Sequence, residues 1–290
     1  MIDYTFPVII TNSREVLCKE LKNVHYKNIQ KLIQNNDNEN LCKYFEAIIK
    51  DLCITKEPLN YIDKFIILLA IRMVSVNGVL EISTKSEIKN SIQIGTISKT
   101  ILENFFPNIT TIKSDENNIK IDIGYPYLIS NKNLLFDKIH SINIDGKRVA
   151  LNLISQEERD QILSLIPASI SKTILKEIRK TKDYKQIKLF TYFYEEGKKA
   201  DYYFSFDSTK NFDLLKMIFS DSLQNCYYYE YLCVSKLHIS LYDFLHYMTP
   251  VESILQIKTL SKEIKEQNDA QKKAAQTSNK PPTPGLGAPR

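Results

Sequence analysis

The stretch LNYIDKFIILLAIRMVSVNGVLEI, residues 59–82, carries the clearest structural signal in the chain. Residues 59–76 are apolar on almost every side, which predicts a helix that is buried on most of its surface. Asn77-Gly78 then predicts a turn, and the Val- and Ile-containing residues after it predict a strand. A buried helix that leads directly into a strand favours an α+β protein.

Residues 1–77 are predicted to form a helical unit with a leading strand. Four alternating apolar side chains predict that strand: Tyr4, Phe6, Val8 and Ile10. Asn12 and Glu15 have the spacing of a capping box, so a helix is predicted to follow over residues 16–32. Five apolar side chains at helical spacing predict the next helix: Leu41, Phe45, Ile48, Ile49 and Leu52.

Residues 78–154 are predicted to form a β-rich middle. Short runs rich in Ile and Val alternate with polar turns there, and residues 115–118 have the composition of a hairpin turn. We expect one small antiparallel sheet that carries a short helix near residues 97–105. The fold class that follows is α+β, with mainly helical N- and C-terminal parts around this middle.

Residues 155–276 are predicted to form an α+β region that ends in a long helix. Ser155 and Glu158 have the spacing of a capping box, and two alternating runs at residues 185–194 and 200–207 predict a hairpin. The helices of this region are expected over residues 159–166, 169–181, 212–223, 226–234 and 241–247, and from Pro250 onward.

The helix that begins at Pro250 has the best-defined start in the sequence. Thr249 is placed to cap it, Pro250 suits its first position, and Glu252 completes the capping box. Its apolar stripe stops before a polar continuation: Val251, Ile254, Ile257, Leu260 and Ile264. Residues 277–290, TSNKPPTPGLGAPR, hold four of the ten prolines and predict a flexible tail or an extended binding peptide.

Composition excludes several classes of protein. With 39 Lys and Arg against 34 Asp and Glu, the net charge of +5 is low for an obligate nucleic-acid binder. The five cysteines are odd in number and form no C-x-x-C pair, so no disulfide framework is predicted. The longest apolar run, residues 65–71, is far shorter than the roughly 20 residues of a membrane span. We therefore expect a soluble protein folded in a reducing compartment such as a cytoplasm.

Motifs that carry chemistry are missing from the sequence. It contains no phosphate-binding glycine loop, no G-x-S-x-G and no H-E-x-x-H, so we expect no enzymatic activity, no cofactor and no metal. Spacing alone would allow a zinc site of Cys226, Cys233, His238 and His246. We favour the two cysteines as small apolar residues of one helix face, because structural zinc sites usually have closer cysteine pairs. Capping explains the Glu157-Glu158 pair.

Tyrosines are concentrated in the C-terminal third, as in Tyr227-Tyr228-Tyr229. Such rings serve in core packing, in base stacking or in protein contacts. Acidic residues lie among them, which favours protein contact over nucleic acid as a function, although core packing is the simpler interpretation. The candidate partner-contact residues are Val251, Ile254, Ile257, Tyr227, Tyr228, Pro281, Pro282 and Leu286.

Two stretches resemble the baseplate hub proteins of T-even-type contractile-tailed bacteriophages. Residues 59–82, with a short helix before them at 42–53, resemble the N-terminal block of that family. Residues 212–267, which include Met248-Thr249-Pro250-Val251-Glu252 and a charged helix, resemble its C-terminal part. The resemblance implies a non-enzymatic structural or assembly role in a baseplate hub.

The resemblance also implies partners and a location. The partners would be other phage baseplate and tail proteins, with self-association allowed, and the site would be the virion tail after assembly in the host cytoplasm. The helix from Pro250 and its tail would reach into neighbouring subunits and become ordered on contact. Two alternatives stay open: a tail-assembly chaperone absent from the mature virion, and a nucleic-acid-associated phage protein that uses tyrosines and lysines.

Overall fold

Ten helices are found in the computed structural model within its described residues, which are 4–55, 57–83, 87–104, 110–114, 119–132, 135–144, 146–151, 154–184, 186–205 and 208–278. They are α1 Asn23–Gln34, α2 Asn38–Leu52, α3 Tyr61–Ser75, α4 Ile94–Glu103, α5 Gln156–Ser164, α6 Ala168–Tyr184, α7 Ser208–Phe219, α8 Leu223–Ser235, α9 Leu241–His246 and α10 Pro250–Ser278. Together with several small antiparallel sheets they confirm the predicted α+β class.

The strands pair only with antiparallel neighbours in the part of the chain that the structure describes. They are β1 Thr5–Ile9, β2 Glu15–Lys19, β3 Cys53–Ile54, β4 Val79–Ser83, β5 Lys89–Gln93, β6 Thr110–Ser114, β7 Ile119–Ile123, β8 Ile139–Ile144, β9 Lys147–Ala150, β10 Ile187–Glu195 and β11 Lys198–Phe204. The sheets have the orders β1-β2-β3, β4-β5, β6-β7-β8-β9 and β10-β11.

Helix α3 lies at the centre of the core, which confirms the prediction of a helix buried on most sides. A capping box of Asn60 and Asp63 starts it, and α2, α4, α7 and β2 pack around it. Phe65 meets Phe204 of β11 edge-on, with ring centroids 4.9 Å apart. The buried residues from Phe6 to Cys226 form one continuous hydrophobic cluster. The domain boundaries at residues 77, 154 and 276 stay predictions.

The predicted helix over residues 16–32 is wrong in its first half. Residues 15–19 form β2, which pairs with β1, and the helix begins only at Asn23. Asn12 caps nothing: it lies in a short 3-10 turn with a left-handed φ of 58°, and Ser13 follows at 57°. The physical reason is that Val16 and Cys18 point inward with a period of two, which suits a strand that covers α3.

The β-rich middle contains two sheets where one was predicted. Hairpin β4-β5 leads directly into α4, whose buried Ile94, Ile97 and Ile101 pack toward α3, so the chain leaves that sheet before the next one begins. Helix α4 confirms the predicted short helix, but it starts three residues earlier. Residues 115–118, predicted as a hairpin turn, lie outside the described residues, and their flanking strands β6 and β7 pair as expected.

A close approach at Gly124 gives a test of packing in the four-stranded sheet. A Cβ atom at this position would lie 2.6 Å from Cε1 of His140, whose Nε2 is hydrogen-bonded to the Tyr125 carbonyl. We expect Gly124→Ala to lower the free energy of unfolding by about 1–3 kcal/mol, because the new methyl group would displace the His140 ring from its hydrogen bond. Urea denaturation measures this.

Gly78 provides the matched control for Gly124. No atom lies within 4 Å of a Cβ built there, so Gly78→Ala should change the free energy of unfolding by less than about 0.5 kcal/mol. Equal effects of the two substitutions would contradict the packing that the structure shows at Gly124.

Candidate protein-contact surface

The start of α10 is anchored by buried polar groups. The Thr249 hydroxyl accepts from the Glu252 N–H at 3.2 Å, and the Glu252 carboxylate accepts from the Thr249 N–H at 2.7 Å. Asn23, at the start of α1, donates through Nδ2 to the Ser253 hydroxyl at 2.8 Å and to the Phe244 carbonyl at 2.9 Å. Because Thr249 and Ser253 are fully buried, the direction of α10 is fixed where it leaves the fold.

The outer part of α10 is exposed. Every residue from 261 to 273 is exposed, which corresponds to about 20 Å of helix. We call residues 261–278 the C-terminal arm. Seven of its residues are charged and one large apolar side chain, Ile264, is 48% exposed. A helical segment with so little buried surface gains little stability from packing against its own chain. Contact with a partner would therefore stabilise it.

Helix α8 presents three tyrosines on one side. Tyr227, Tyr228 and Tyr231 stand at helical spacings of three and four residues, and each is about half exposed or more. Lys27 of α1 lies over the Tyr227 ring, 4.2 Å from its centroid, and its Nζ is 2.5 Å from the Glu230 carboxylate. Lys27 is therefore already paired with an acidic side chain. We call these three residues the α8 tyrosines.

Helix α9 adds a second exposed aromatic group. Tyr242 and Tyr247 meet edge-on, with ring centroids 5.7 Å apart, and Tyr242 also lies 4.6 Å from the His246 ring. The hydrogen bond with Tyr242 raises the pKa of Tyr247. Both rings are exposed, so this group offers apolar area together with a hydroxyl, and tyrosine is enriched at protein interfaces for this reason.

The turn before α8 is fixed to α1. Gln30 is buried: its Nε2 donates to the Phe219 carbonyl at 2.5 Å, and its Oε1 accepts from the Asp221 N–H at 2.9 Å. The Tyr26 hydroxyl donates to the Asp221 carboxylate at 3.2 Å, and burial, followed by that negative charge, raises the pKa of Tyr26. The α8 tyrosines are thus carried on a rigid support.

The comparisons with known proteins give one family. A family model described as T4 bacteriophage base plate protein matches residues 1–191 of the 290. The chain belongs to this family. No curated protein and no solved structure matches it. As a T4-type baseplate protein it is a structural component of the phage baseplate and of the virion tail, and its partners are other tail or baseplate proteins.

The family match and the exposed surface occupy different parts of this baseplate protein. Residues 59–82, the first stretch with a resemblance, lie inside the matched region, whereas residues 212–267 lie beyond it. Helices α8, α9 and α10 therefore belong to the part that the match does not reach. Within the described residues, no helix is both long enough and apolar enough to cross a membrane.

The predicted contact residues fall into three groups in the structure. Tyr227 and Tyr228 are exposed on α8, whereas Val251, Ile254 and Ile257 are only half exposed because α10 packs on α8. Pro281, Pro282 and Leu286 lie outside the described residues. Sequence reasoning did not select Tyr231, Tyr242, Tyr247, Leu255 or Ile264, which the structure shows as exposed. The spacing of four between Tyr227 and Tyr231 could have indicated the first of them.

The candidate zinc ligands on α8 and the paired glutamates of the sequence have defined positions among the described residues. No group of three or more His, Cys, Asp or Glu among them is placed to hold a metal ion, and Cys226 and Cys233 are buried on α8. Glu158 closes the capping box with Ser155. A cavity of about 20 Å³ between α1, α8, α9 and α10, lined in part by Asn23, Cys226 and Ile254, has room for about one water.

Proposed function

We propose that this baseplate protein is a non-enzymatic component of the hub of a contractile tail and that it acts through protein–protein contacts. The observation that carries the proposal is the C-terminal arm, an exposed helix that continues from a buried, hydrogen-bonded base. The arm, the α8 tyrosines and the exposed rings of α9 are the surfaces that would meet neighbouring subunits. Assembly would take place in the host cytoplasm.

Charge supports protein partners over nucleic acid at these surfaces. Lys27 is paired with Glu230, and the arm mixes both signs, as in the Lys262–Glu266 pair at 3.9 Å. A nucleic-acid site would need unpaired cations along a groove. Neighbouring exposed rings and a helix with an exposed Ile264 suit a protein surface instead, either another tail protein or a second copy of this chain.

Shortening the chain after Ile264 tests the role of the arm. The removed residues that the structure describes are exposed up to residue 273, so the shortened protein should fold and stay soluble. We expect its incorporation into baseplates to fall at least tenfold, since a lost contact of about 1.4 kcal/mol has that effect. Quantitative mass spectrometry of particles from infected cells that make only this version measures it.

Two further variants make the experiment specific. Tyr228→Ser with Tyr231→Ser removes two exposed rings from α8 and should also reduce incorporation, whereas Tyr194→Ser removes an exposed ring of the β10-β11 hairpin and should leave it unchanged. Full incorporation of the chain that ends at Ile264 would contradict the proposal. Peptides of the intact protein in purified virions would favour a hub component, and their absence would favour an assembly chaperone.

A further inference from the structure

Two cysteines face each other across the N-terminal sheet. Cys18 of β2 and Cys53 of β3 are directly opposite in the antiparallel register, and their Sγ atoms are 3.6 Å apart. Cys18 is fully buried, whereas Cys53 is partly exposed at the point where α2 ends and β3 begins. Both thiols are free in the structure. This pair plays no part in the contact surface described above.

The geometry of the pair is that of a disulfide before bond formation. Opposite residues of antiparallel strands have Cα atoms about 4.5–5.5 Å apart, which lies inside the range of about 4.4–6.8 Å that disulfides span. Closing the sulfur separation from 3.6 Å to about 2.05 Å needs side-chain movement without a change of register. We propose that Cys18 and Cys53 form a reversible intramolecular disulfide, an oxidation site that fastens β3 to β2.

The two thiols are suited to different steps. Cys53 is the sulfur that an oxidant can reach, because it is partly exposed, whereas Cys18 is fully buried behind it. Thiolate is the form that attacks a disulfide. The buried Cys18 is therefore the resolving thiolate, and Cys53 is the sulfur that it attacks.

With glutathione disulfide as oxidant the reaction balances. Cys53, after losing its proton, attacks one glutathione sulfur and expels the other glutathione as a thiolate. The Cys18 thiolate then attacks the Cys53 sulfur of this mixed disulfide and expels the second glutathione thiolate. Two protein thiols are oxidised to one disulfide, one glutathione disulfide is reduced to two thiols, and the two cysteine protons end on the two glutathiones.

The remaining cysteines are poor competitors. Cys42, Cys226 and Cys233 are buried, so glutathione disulfide does not reach them in the folded protein, whereas Cys53 is partly exposed. Cys226 and Cys233 lie seven residues apart on α8, about 10 Å along its axis, which is too far for a bond. The pair would be reduced in a cytoplasm and would oxidise outside the cell, whether or not the protein occupies the hub.

Thiol counting on the folded wild-type protein tests the proposal. After incubation with glutathione disulfide at pH 8 and removal of the reagent, free thiols titrated in denaturant should fall from five to three. Non-reducing digestion and mass spectrometry should yield one linked peptide pair that joins Cys18 to Cys53. Because the bond closes a loop of about 36 residues, Tm should rise by about 5–10 °C and return on reduction with dithiothreitol.

Two variants serve as controls for this oxidation. Cys53→Ser should show neither the intramolecular link nor the change in Tm, whereas Cys233→Ser should keep both. Five free thiols after oxidation of the wild-type protein would overturn the proposal. A linked peptide from any other pair, or a disulfide-linked dimer as the main product, would also overturn it.

Discussion

Asp63→Asn is expected to lower the free energy of unfolding by about 3–5 kcal/mol, the cost of leaving two hydrogen-bond donors without an acceptor around a buried side chain. Asp63 is fully buried, and each of its carboxylate oxygens accepts two hydrogen bonds. Oδ1 accepts from the Thr11 N–H at 3.1 Å and from the Thr11 hydroxyl at 2.6 Å. Oδ2 accepts from Arg14 Nη2 at 2.7 Å and from the Asn60 N–H at 3.2 Å.

An asparagine of the same size cannot replace these contacts. A carboxylate is an acceptor at all four positions, whereas an amide places an NH₂ group where one oxygen accepted two bonds. That NH₂ would face two donors, leave them without partners in a buried site, and remove the charge that pairs with Arg14. Equilibrium unfolding in urea, followed by circular dichroism, measures the loss.

Glu57→Gln is the matched control, because Glu57 is the other carboxylate that binds Arg14. Its oxygen lies 2.8 Å from Arg14 Nη1, but its side chain is 68% exposed. An exposed ion pair contributes about 0–1 kcal/mol, so we expect a change at the low end of that range. Similar losses of unfolding free energy for the two variants would mean that the buried position of Asp63 does not increase its contribution to stability.

The surroundings of Asp63 also explain why the first helix was misplaced. Asn12 and Glu15 have the local spacing of a cap, but Thr11 is held through both its N–H and its hydroxyl by a residue 52 positions later. A contact so distant in sequence leaves no local pattern. By contrast, α3 and its capping box at Asn60 depend on neighbouring residues, so their position was predictable.

The same distinction applies to the contact surface. The start of α10 at Thr249 and Pro250 was predictable, because a capping box is local. The sequence did not predict which apolar residues of α10 pack against the rest of the chain. That depends on contacts with α8 and with Asn23 of α1, which no local pattern reveals. Val251, Ile254 and Ile257 consequently lie half-buried, whereas Leu255, which is outside the predicted stripe, and Ile264, at its end, are exposed.

The largest effect is expected from removing everything after Ser205, which retains the whole region of the family match. This shortened chain, residues 1–205, should lose cooperative unfolding and precipitate or bind hydrophobic dyes. Helix α7 supplies five nearly inaccessible side chains to the core: Phe212, Leu214, Leu215, Ile218 and Phe219. At about 1.5–3 kcal/mol each, their burial contributes about 8–15 kcal/mol, as much as the net stability of a typical protein.

The same truncation would also remove the hydrogen-bond partners of buried polar side chains. Arg72, buried in the last turn of α3, donates through Nε to the Ile218 carbonyl at 3.2 Å, and Gln30 donates to the Phe219 carbonyl. Phe45 would lose the Phe219 ring, whose centroid is 5.2 Å from its own. The family-matched region therefore depends on α7 to close its core, even though α7 lies outside the match.

The chain that ends at Ile264 is the control for this truncation, because it keeps α7, α8, α9 and the anchored base of α10. We expect its Tm to stay within about 2 °C of the full-length value, since the removed residues up to 273 are exposed. Near-UV circular dichroism and thermal unfolding distinguish the two chains. A cooperative transition and an unchanged near-UV spectrum for residues 1–205 would show that the matched region folds by itself, contrary to the packing of α7 against α1 and α3.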